Sequence, residues 1–450
     1  MKKLNQKISK VLISTFVIII TLQACMDSFL DVKPDKSLVV PETIDDLESL
    51  LNNSLVMNFP NSGYLPIILS DDYVMTEQRW NSTSELPGKY GYIWSEEIYQ
   101  EDITIFDWKL PYQQVFYSNL VLDKLKSLKT ENSVKEKLVK GAAYFYRALA
   151  YFNISQLYST PYSENSKNSD LGIPIRLEAD VLLKSYKSTI NETYNQIIND
   201  FHSALILLPQ ISLLKSKPSK NVVYGMLSRI HLQMHEYDKA LIYADSALAI
   251  NSSLLDFKTV DKDNNYPFNI VNEEIIYSST LMLSALVMPP NQLVAPDLLA
   301  LYKDDDLRKQ TFFVKNTNGQ YSFKGSYDGS QTLFNGLTNA EIMLIRSECL
   351  VRLGFTAQAI QQLEVLYKKR NISEFSTPDN VDLLQYILDE RRRELAFRGI
   401  RWWDMRRLKN DNRYAIPVKR IISDQIYWLR PDASNYFVPI PNIVLQLSGM

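Results

Sequence analysis

The sequence predicts a mainly α protein, a tetratricopeptide-like helical repeat scaffold with long loop-rich insertions and a less regular C-terminal part. The chain has 13 Gly and 3 His with 46% apolar residues, and its runs of Leu, Ala, Lys and Glu favour helices over a sandwich or barrel. Large and small residues recur at tetratricopeptide spacing in two segments, 222–250 and 340–369. With 450 residues, the chain also exceeds the roughly 250–300 at which one core stops growing, so two lobes or a repeat scaffold are expected.

The N-terminus has the features of a lipoprotein signal peptide over residues 1–24. Four lysines precede an apolar run from Val11 to Leu22, which is shorter than the about 20 residues of a membrane span. The sequence Leu22-Gln-Ala-Cys25 matches a lipoprotein cleavage box, so we expect Cys25 to be lipidated. A signal cleaved at a small residue, with Cys25 incidental, is the alternative. Residues 25–45 show little periodicity and predict a tether leading away from a membrane anchor.

The charge of the mature chain argues against nucleic-acid binding. Removal of residues 1–24 takes away four Lys and no acid, which leaves 45 basic and 51 acidic residues and a net charge of −6. The Arg-rich run near the C-terminus is interleaved with Glu and Asp, which is too mixed in sign for a nucleic-acid patch.

A first helix is predicted over residues 43–58, and a loop-rich stretch with four aromatic residues follows from Ser62 to Glu101. The four aromatic residues are Trp80, Tyr90, Tyr92 and Trp94. The last three alternate, so a strand would place them on one face. Aromatic rings stack on the C–H faces of sugars, so these residues are our first candidate ligand surface. The alternative is that the rings pack the loop onto the helices beneath.

Residues 106–208 are predicted to be helical with one break at 159–175. Small residues of the helix ending at Tyr158, such as Gly141 and Ala148, permit close helix packing. Residues 46–215 therefore form an N-terminal helical region, and residues 216–251 form a tetratricopeptide-like helix pair. Residues 252–450 are the third region.

Residues 252–338 are the least regular part of the chain. Gly and Pro break the helical pattern, a strand pair is plausible around Gln320–Lys324, and Tyr321 and Tyr327 supply a second candidate group of rings. The run Asp261-Lys-Asp-Asn-Asn265 opens like a calcium loop, but it has Tyr266 at the sixth position and Asn272 at the twelfth. It fails as an EF-hand, which leaves a loosely bound calcium ion as a minor possibility and no other cofactor expected.

The run from Glu390 to Leu408 is predicted to be a charge-paired structural joint. Its leading helix is expected to begin at Thr377 as N-cap and to end before Gly399 in a left-handed conformation. Arg391 falls on the apolar stripe of that helix, so it or a neighbour must pair with an acid from another helix, and we expect Glu341 or Glu348. A ligand-phosphate clamp is the less favoured function.

No catalytic residue is predicted. Cys349 and His231 lie at packing positions of apolar helices, and His235, four residues on from His231, adds no third metal ligand. Glycosidases need two carboxylates across a cleft, and nothing singles out a pair. The candidates were Asp71, Asp72, Glu96 and Glu97.

The run Asp389–Leu408 resembles the C-terminal signature of the SusD/RagB family of cell-surface nutrient-binding lipoproteins. Phe29–Pro34, Ala143–Leu149 and Asn339–Glu341 resemble other family segments, so the likeness covers essentially the whole mature chain. It implies a SusD-like fold and a non-catalytic outer-membrane lipoprotein on the cell surface. The implied function is to bind an oligosaccharide or glycan and to deliver it to a SusC-like TonB-dependent transporter. The alternatives are an oligopeptide ligand, a surface glycoside hydrolase or a repeat adaptor that binds only protein. The family motifs are structural, so no binding residue is carried over from them.

Overall fold

A computed structural model describes residues 41–99, 105–128, 133–289, 291–376 and 382–448. The predicted signal peptide, Cys25 and most of the tether lie outside these residues. Residues 41–43 contain no helix or strand. Among the described residues, no helix is both long and apolar enough to cross a membrane.

The N-terminal part consists of short helices and one short strand. These are α1 (Ile44–Asn52), α2 (Ser54–Met57), α3 (Leu65–Leu69), β1 (Tyr73–Val74), α4 (Glu77–Ser82) and α5 (Leu86–Tyr92). The expectation of a non-helical stretch with a strand at 90–94 is therefore wrong. Local sequence explains the two helices, because the Thr76 side chain accepts a hydrogen bond from the Arg79 N–H at the start of α4. Pro87 in the first turn of α5 likewise favours a helix start.

Three long helices follow as α6 (Phe106–Ser127), α7 (Val134–Tyr158) and α8 (Ile190–Leu207). The break before α8 is longer than predicted and contains the paired strands β2 (Leu171–Pro174) and β3 (Lys187–Thr189). The prediction of close packing at Gly141 is confirmed, because a Cβ atom there would lie 2.9 Å from the Leu207 Cβ atom.

The repeat scaffold is confirmed as two helix pairs. The first is α9 (Lys220–Gln233) with α10 (Tyr237–Ile250), and the second is α13 (Asn339–Arg352) with α14 (Thr356–Arg370). Ala240, Ala244 and Ala247 of α10 are fully buried, and α10 packs on α13, so the two pairs stack. Gly354, with φ of +88°, turns the second pair.

The segment between the repeat pairs contains short strands and helices. These are a 3₁₀ turn (Phe257–Thr259), β4 (Ile275–Tyr277), β5 (Leu293–Val294), α11 (Pro296–Ala300), α12 (Leu307–Phe312), β6 (Phe313–Lys315), β7 (Tyr321–Phe323) and β8 (Leu337–Thr338). Strands β6 and β7 pair antiparallel, which confirms the predicted strand pair, and β4 pairs with β8. Strand β5 pairs with β1, so the N-terminal part is joined to this segment.

The C-terminal elements are α15 (Leu383–Glu394), α16 (Ile400–Leu408), β9 (Val418–Ile422), β10 (Gln425–Leu429) and α17 (Asn442–Ser448). The expected helix start at Thr377 is wrong: Thr377 lies outside the described residues, and Asp382 caps α15 through the Leu384 and Gln385 N–H groups. Gly399 is left-handed as predicted, with φ of +78°, but it precedes α16 and stands several residues beyond the end of α15.

The charge-paired joint is confirmed, with one change of partner. Arg391 Nε donates to Asp404 Oδ2 at 2.9 Å, while the predicted partner Glu341 is 3.9 Å from its Nη2. The other predicted acid, Glu348, accepts two hydrogen bonds from Arg407, at 2.6 and 2.8 Å. These groups are buried, so removal of either partner of a pair would leave an uncompensated charge and would strongly destabilise the fold.

Candidate ligand-binding site

Two of the predicted rings keep part of their surface accessible. Trp80 on α4 is half-buried, and its Nε1 donates to the Lys89 carbonyl oxygen at 3.2 Å. The Lys89 ammonium lies 4.3 Å from the centroid of the Trp80 ring. Tyr90 on α5 is also half-buried. Helix α4 therefore presents the Trp80 ring beside a cation, and α5 keeps part of the Tyr90 surface accessible.

Tyr92 and Trp94 belong to the core, so the packing alternative holds for them. They are 5% and 3% exposed, and Trp94 Nε1 donates to the Leu69 carbonyl oxygen at 3.0 Å. The Arg420 guanidinium lies 4.0 Å from the Tyr92 ring centroid and 4.1 Å from that of Trp94. A ligand has no access to rings that are closed by a guanidinium from the other end of the chain.

The second predicted group of rings also contains one accessible ring and one buried ring. Tyr321 on β7 is half-buried with the Lys315 ammonium 5.9 Å from its ring centroid. Tyr327 is fully buried: its hydroxyl donates to Glu274 at 3.2 Å, and the Arg398 guanidinium lies 4.3 Å from its ring. Tyr321 stays a candidate, and Tyr327 is a core residue.

A cleft of about 160 Å³ lies beside the β6–β7 hairpin. Its lining combines apolar and polar side chains: Asn265, Tyr266, Pro289, Val314, Phe323, Lys324, Ser326, Ser330, Gln331 and Leu333. The Tyr266 side chain is 42% exposed, which is unusual for a large ring. A lining that combines apolar side chains with amide, hydroxyl and ammonium groups suits a ligand that has both C–H faces and hydroxyl groups.

Tyr266 was missed by sequence reasoning, which treated it only as the residue that spoils a calcium loop. The available signal was a ring placed directly after a polar run and before Pro267. In the structure the run is held in place, because Lys324 Nζ donates to the Asn264 carbonyl oxygen at 3.1 Å and also to that of Lys262. The Asn264 side chain in turn accepts from the Tyr266 N–H at 3.0 Å. These bonds fix the turn that carries the exposed ring.

One segment joins the cleft to helix α5. Ser284 Oγ donates to Glu85 at 2.6 Å, and the Tyr73 hydroxyl donates to the Leu286 carbonyl oxygen at 3.0 Å. A Cβ atom on Gly88 would lie 2.3 Å from a Leu286 methyl group, so α5 approaches this segment closely. Pro289, three residues on, lines the cleft. Segment 284–289 therefore links the Tyr266 cleft to α5, the helix that carries Tyr90.

Two of the acids considered for glycoside hydrolysis, Asp71 and Asp72, are held by arginines. Asp71 is bonded to Arg401 at 2.6 and 2.8 Å, and Asp72 to Arg392 at 2.7 Å. Burial alone would raise the pKa of Asp71, but Arg401 and Arg392 outweigh it and lower that pKa. The cleft lining, as far as the structure describes it, contains no Asp or Glu.

The residues considered for metal binding or thiol chemistry follow. His231 bonds to Glu236 at 2.6 Å and stacks on Tyr243, and Cys349 is fully buried. Burial raises the pKa of the Cys349 thiol, which makes it unreactive. No cluster of three or more His, Cys, Asp or Glu suited to a metal ion occurs in the described part of the chain. A calcium ion at residues 261–265 stays a prediction.

Comparison with known proteins identifies the family. Residues 28–232 match a family model described as SusD-like, starch-binding and associating with the outer membrane, and residues 313–449 match the SusD family model. A SusD-like protein of Formosa agariphila is 21% identical over 439 residues, which cover 80% of this chain and 82% of that protein.

The solved structures agree with the fold. A SusD superfamily protein from Bacteroides thetaiotaomicron has a TM-score of 0.74 at 20% identity, over 90% of this chain and 98% of that one. A laminarin-binding SusD-like protein has a TM-score of 0.63 at 17% identity, over 89% and 96%. Both halves of the chain match models of one family, and the tetratricopeptide-like scaffold is the one these structures share. The chain belongs to the SusD/RagB family.

Proposed function

We propose that this protein is a non-catalytic outer-membrane lipoprotein that binds an oligosaccharide at the cell surface and delivers it to a SusC-like TonB-dependent transporter. The observation that carries the proposal is the Tyr266 cleft, with its exposed ring and its lining of apolar, amide, hydroxyl and ammonium groups. Sugar rings offer C–H faces to an aromatic ring and hydroxyl groups to neutral hydrogen-bonding partners. Tyr266 is the principal stacking residue in this proposal, with Trp80, Tyr90 and Tyr321 as flanking rings.

Several features support the rest of the proposal. The cleavage box before Cys25 supports attachment through fatty-acyl chains such as palmitate, and the family supports the surface location and the transporter partner. Replacement of Cys25 by Ser should abolish incorporation of labelled palmitate. The carboxylate-free lining supports binding without hydrolysis, because glycosidases need two acids across the bond that is cleaved.

The direct test is calorimetric titration of the full mature chain with β-1,3-gluco-oligosaccharides, malto-oligosaccharides and a peptide mixture. Replacement of Tyr266 by Ala should weaken oligosaccharide binding about tenfold, which corresponds to about 1.4 kcal/mol. Replacement of Tyr186 by Ala is the matched control, since this tyrosine is 70% exposed on another loop. Unchanged affinity in the Tyr266 variant would remove the cleft from the proposal. Binding of peptides alone, or release of reducing sugar, would replace it by one of the alternatives.

A further inference from the structure

The β9–β10 hairpin carries an exposed aromatic and cationic face. Trp428 is 44% exposed, whereas the five other tryptophans of the chain are buried or half-buried. The register pairs Lys419 with Trp428 and Ile421 with Ile426, so these four side chains share one face of the hairpin, and all four are exposed. A tryptophan at this exposure sacrifices apolar burial, which is a mark of a binding surface.

Two cations stand beside the exposed ring. The Lys419 ammonium is 6.0 Å and the Arg430 guanidinium 5.8 Å from the Trp428 ring centroid. Over the ranges that the structure describes, neither cation forms a salt bridge, whereas the arginines of α15 and α16 at 391, 392, 393, 401 and 407 are all paired with acids. The charges beside Trp428 are therefore available to a ligand.

The opposite face of the hairpin anchors it to the rest of the protein. Arg420, Ile422 and Leu429 point inward and are buried. The Arg420 guanidinium donates to the carbonyl oxygens of Tyr92 and Ser70. The turn residues Ser423 and Asp424 both have positive φ, as in the two-residue turns that match the twist of a hairpin. The hairpin that presents the Trp428 face is thus anchored to the rest of the protein through its opposite face.

The hairpin is mounted on the elements that carry the proposed glycan site. Ser423 Oγ donates to Glu77 Oε1 at 2.6 Å, and Glu77 is the first residue of α4, the helix of Trp80. Tyr92, which Arg420 contacts, ends α5, the helix of Tyr90. An oligosaccharide bound near α4 and α5 therefore lies close to this hairpin.

We infer that the Trp428 face is an accessory binding site for an anionic oligosaccharide, one that contains uronic acid or sulfated units. This inference rests on the proposed glycan-binding function and names its ligand class. A pyranose face stacks on Trp428, and its carboxylate or sulfate group meets Lys419 and Arg430. Two cations beside the ring that form no salt bridge among the described residues favour an acidic sugar over a neutral one.

The test compares oligogalacturonate with a neutral gluco-oligosaccharide of equal length by calorimetric titration of the full mature chain. Trp428→Ala should weaken oligogalacturonate binding about tenfold, and a Lys419→Gln, Arg430→Gln double variant should weaken it at least about threefold and flatten its salt dependence. Neutral oligosaccharide should bind these variants as it binds the wild type. Leu213→Ala, which removes an apolar side chain that is 99% exposed elsewhere, is the control.

The outcomes separate this inference from the proposed function. If neutral oligosaccharide binds in a Tyr266-dependent manner but oligogalacturonate affinity is the same in all hairpin variants, the Trp428 site is wrong and the proposed function stands. If the hairpin variants keep their affinity for oligogalacturonate but lose association with the transporter, the face is a protein-docking surface and the inference is overturned. If no oligosaccharide of either charge binds the wild type, both proposals fail together.

Discussion

At the scale of single residues, the pKa of a buried carboxyl group depends on whether a basic side chain lies beside it. Burial alone would raise the pKa of Glu348, but the charges of Arg407 and Arg352 outweigh it and lower the pKa to about 2. Among the described residues, no basic side chain pairs with Asp107. Burial raises its pKa to about 7, against the hydrogen bond that it accepts from the Leu65 N–H at 3.2 Å. Glu348 is therefore charged at neutral pH, whereas Asp107 is near the midpoint of its titration.

Asp107 should make the protein less stable as pH rises from 4 to 7. In this window the unfolded chain, with an ordinary Asp pKa near 3.8, has released the proton that the folded state still binds. The loss should be on the order of 3–4 kcal/mol and should level off above pH 7. Chemical unfolding of the wild type and of Asp107→Asn at pH 4.5 and 7.5 measures it. Parallel pH dependence in the two proteins would contradict the expected protonation of Asp107.

Arg407 should be a stability residue and not a ligand residue. It is fully buried between Glu348 and Asp404, so Arg407→Ala leaves two carboxylates without their main partner and should cost about 3–5 kcal/mol. Arg413→Ala, at a residue whose side chain is 67% exposed and paired with Asp411 only at 3.5 Å, should leave the unfolding midpoint unchanged. Urea unfolding gives both values. An unchanged midpoint for Arg407→Ala combined with lost oligosaccharide binding would restore the ligand-clamp function.

At the scale of elements, helix starts follow local chemistry. The Thr189 side chain accepts from the Glu192 N–H at the start of α8, and the Glu192 carboxylate accepts from the Thr189 N–H at 2.7 Å. This capping box satisfies two backbone groups that the first turn of a helix leaves unpaired. One half of this arrangement, a side-chain oxygen that accepts a hydrogen bond from the N–H three residues on, also starts α7 at Ser133 and α13 at Thr338. Side-chain caps therefore define where these three helices begin.

Loss of the capping box should destabilise the protein modestly. Thr189→Ala should cost about 1 kcal/mol, because the Glu192 N–H loses its acceptor, while Thr189→Ser keeps the hydroxyl and should cost only a few tenths. Thermal unfolding followed by circular dichroism measures the difference. Equal melting temperatures for the Ala and Ser variants would mean that the box contributes no stability.

At the scale of the whole molecule, contacts between the two ends of the chain hold the site elements in place. Asp71 and Asp72 pair with Arg401 and Arg392, more than 300 residues later in the sequence. Arg420 reaches the Tyr92 carbonyl oxygen across a separation of 328 residues. The segment that carries α4 and α5 is therefore clamped by the C-terminal part.

Release of one clamp should loosen the hairpin without unfolding the scaffold. Arg420→Met keeps most of the side-chain volume but removes the hydrogen bonds to the Tyr92 and Ser70 carbonyl oxygens. Proteolysis at the exposed turn Ser423–Asp424 should become about tenfold faster, since an opening cost of about 1.4 kcal/mol would be lost. Lys419→Met, on the outward face of the same strand, should leave the rate unchanged. Equal cleavage rates in both variants would show that Arg420 does not anchor the hairpin.

Much of the scaffold follows from local pattern. The repeat pairs, the β6–β7 hairpin and the close approach at Gly141 were all predicted from spacing and residue size. The helix at 86–92 was not, because aromatic alternation at Tyr90, Tyr92 and Trp94 mimics a strand while Pro87 supplies the competing helix start. The start of α15 was displaced because Asp382 is the cap that the structure uses.

The candidate site was predicted less well than the scaffold. Sequence alone determined the helical repeats, the need to pair Arg391, and where aromatic residues cluster along the chain. Only the tertiary structure decided which rings face solvent: it buried Tyr92, Trp94 and Tyr327 and exposed Tyr266 and Trp428. The physical reason is the distance along the sequence over which each kind of interaction acts. Helix spacing and capping act within a few residues, whereas the exposure of a ring depends on groups such as Arg420 that arrive from the far end of the chain.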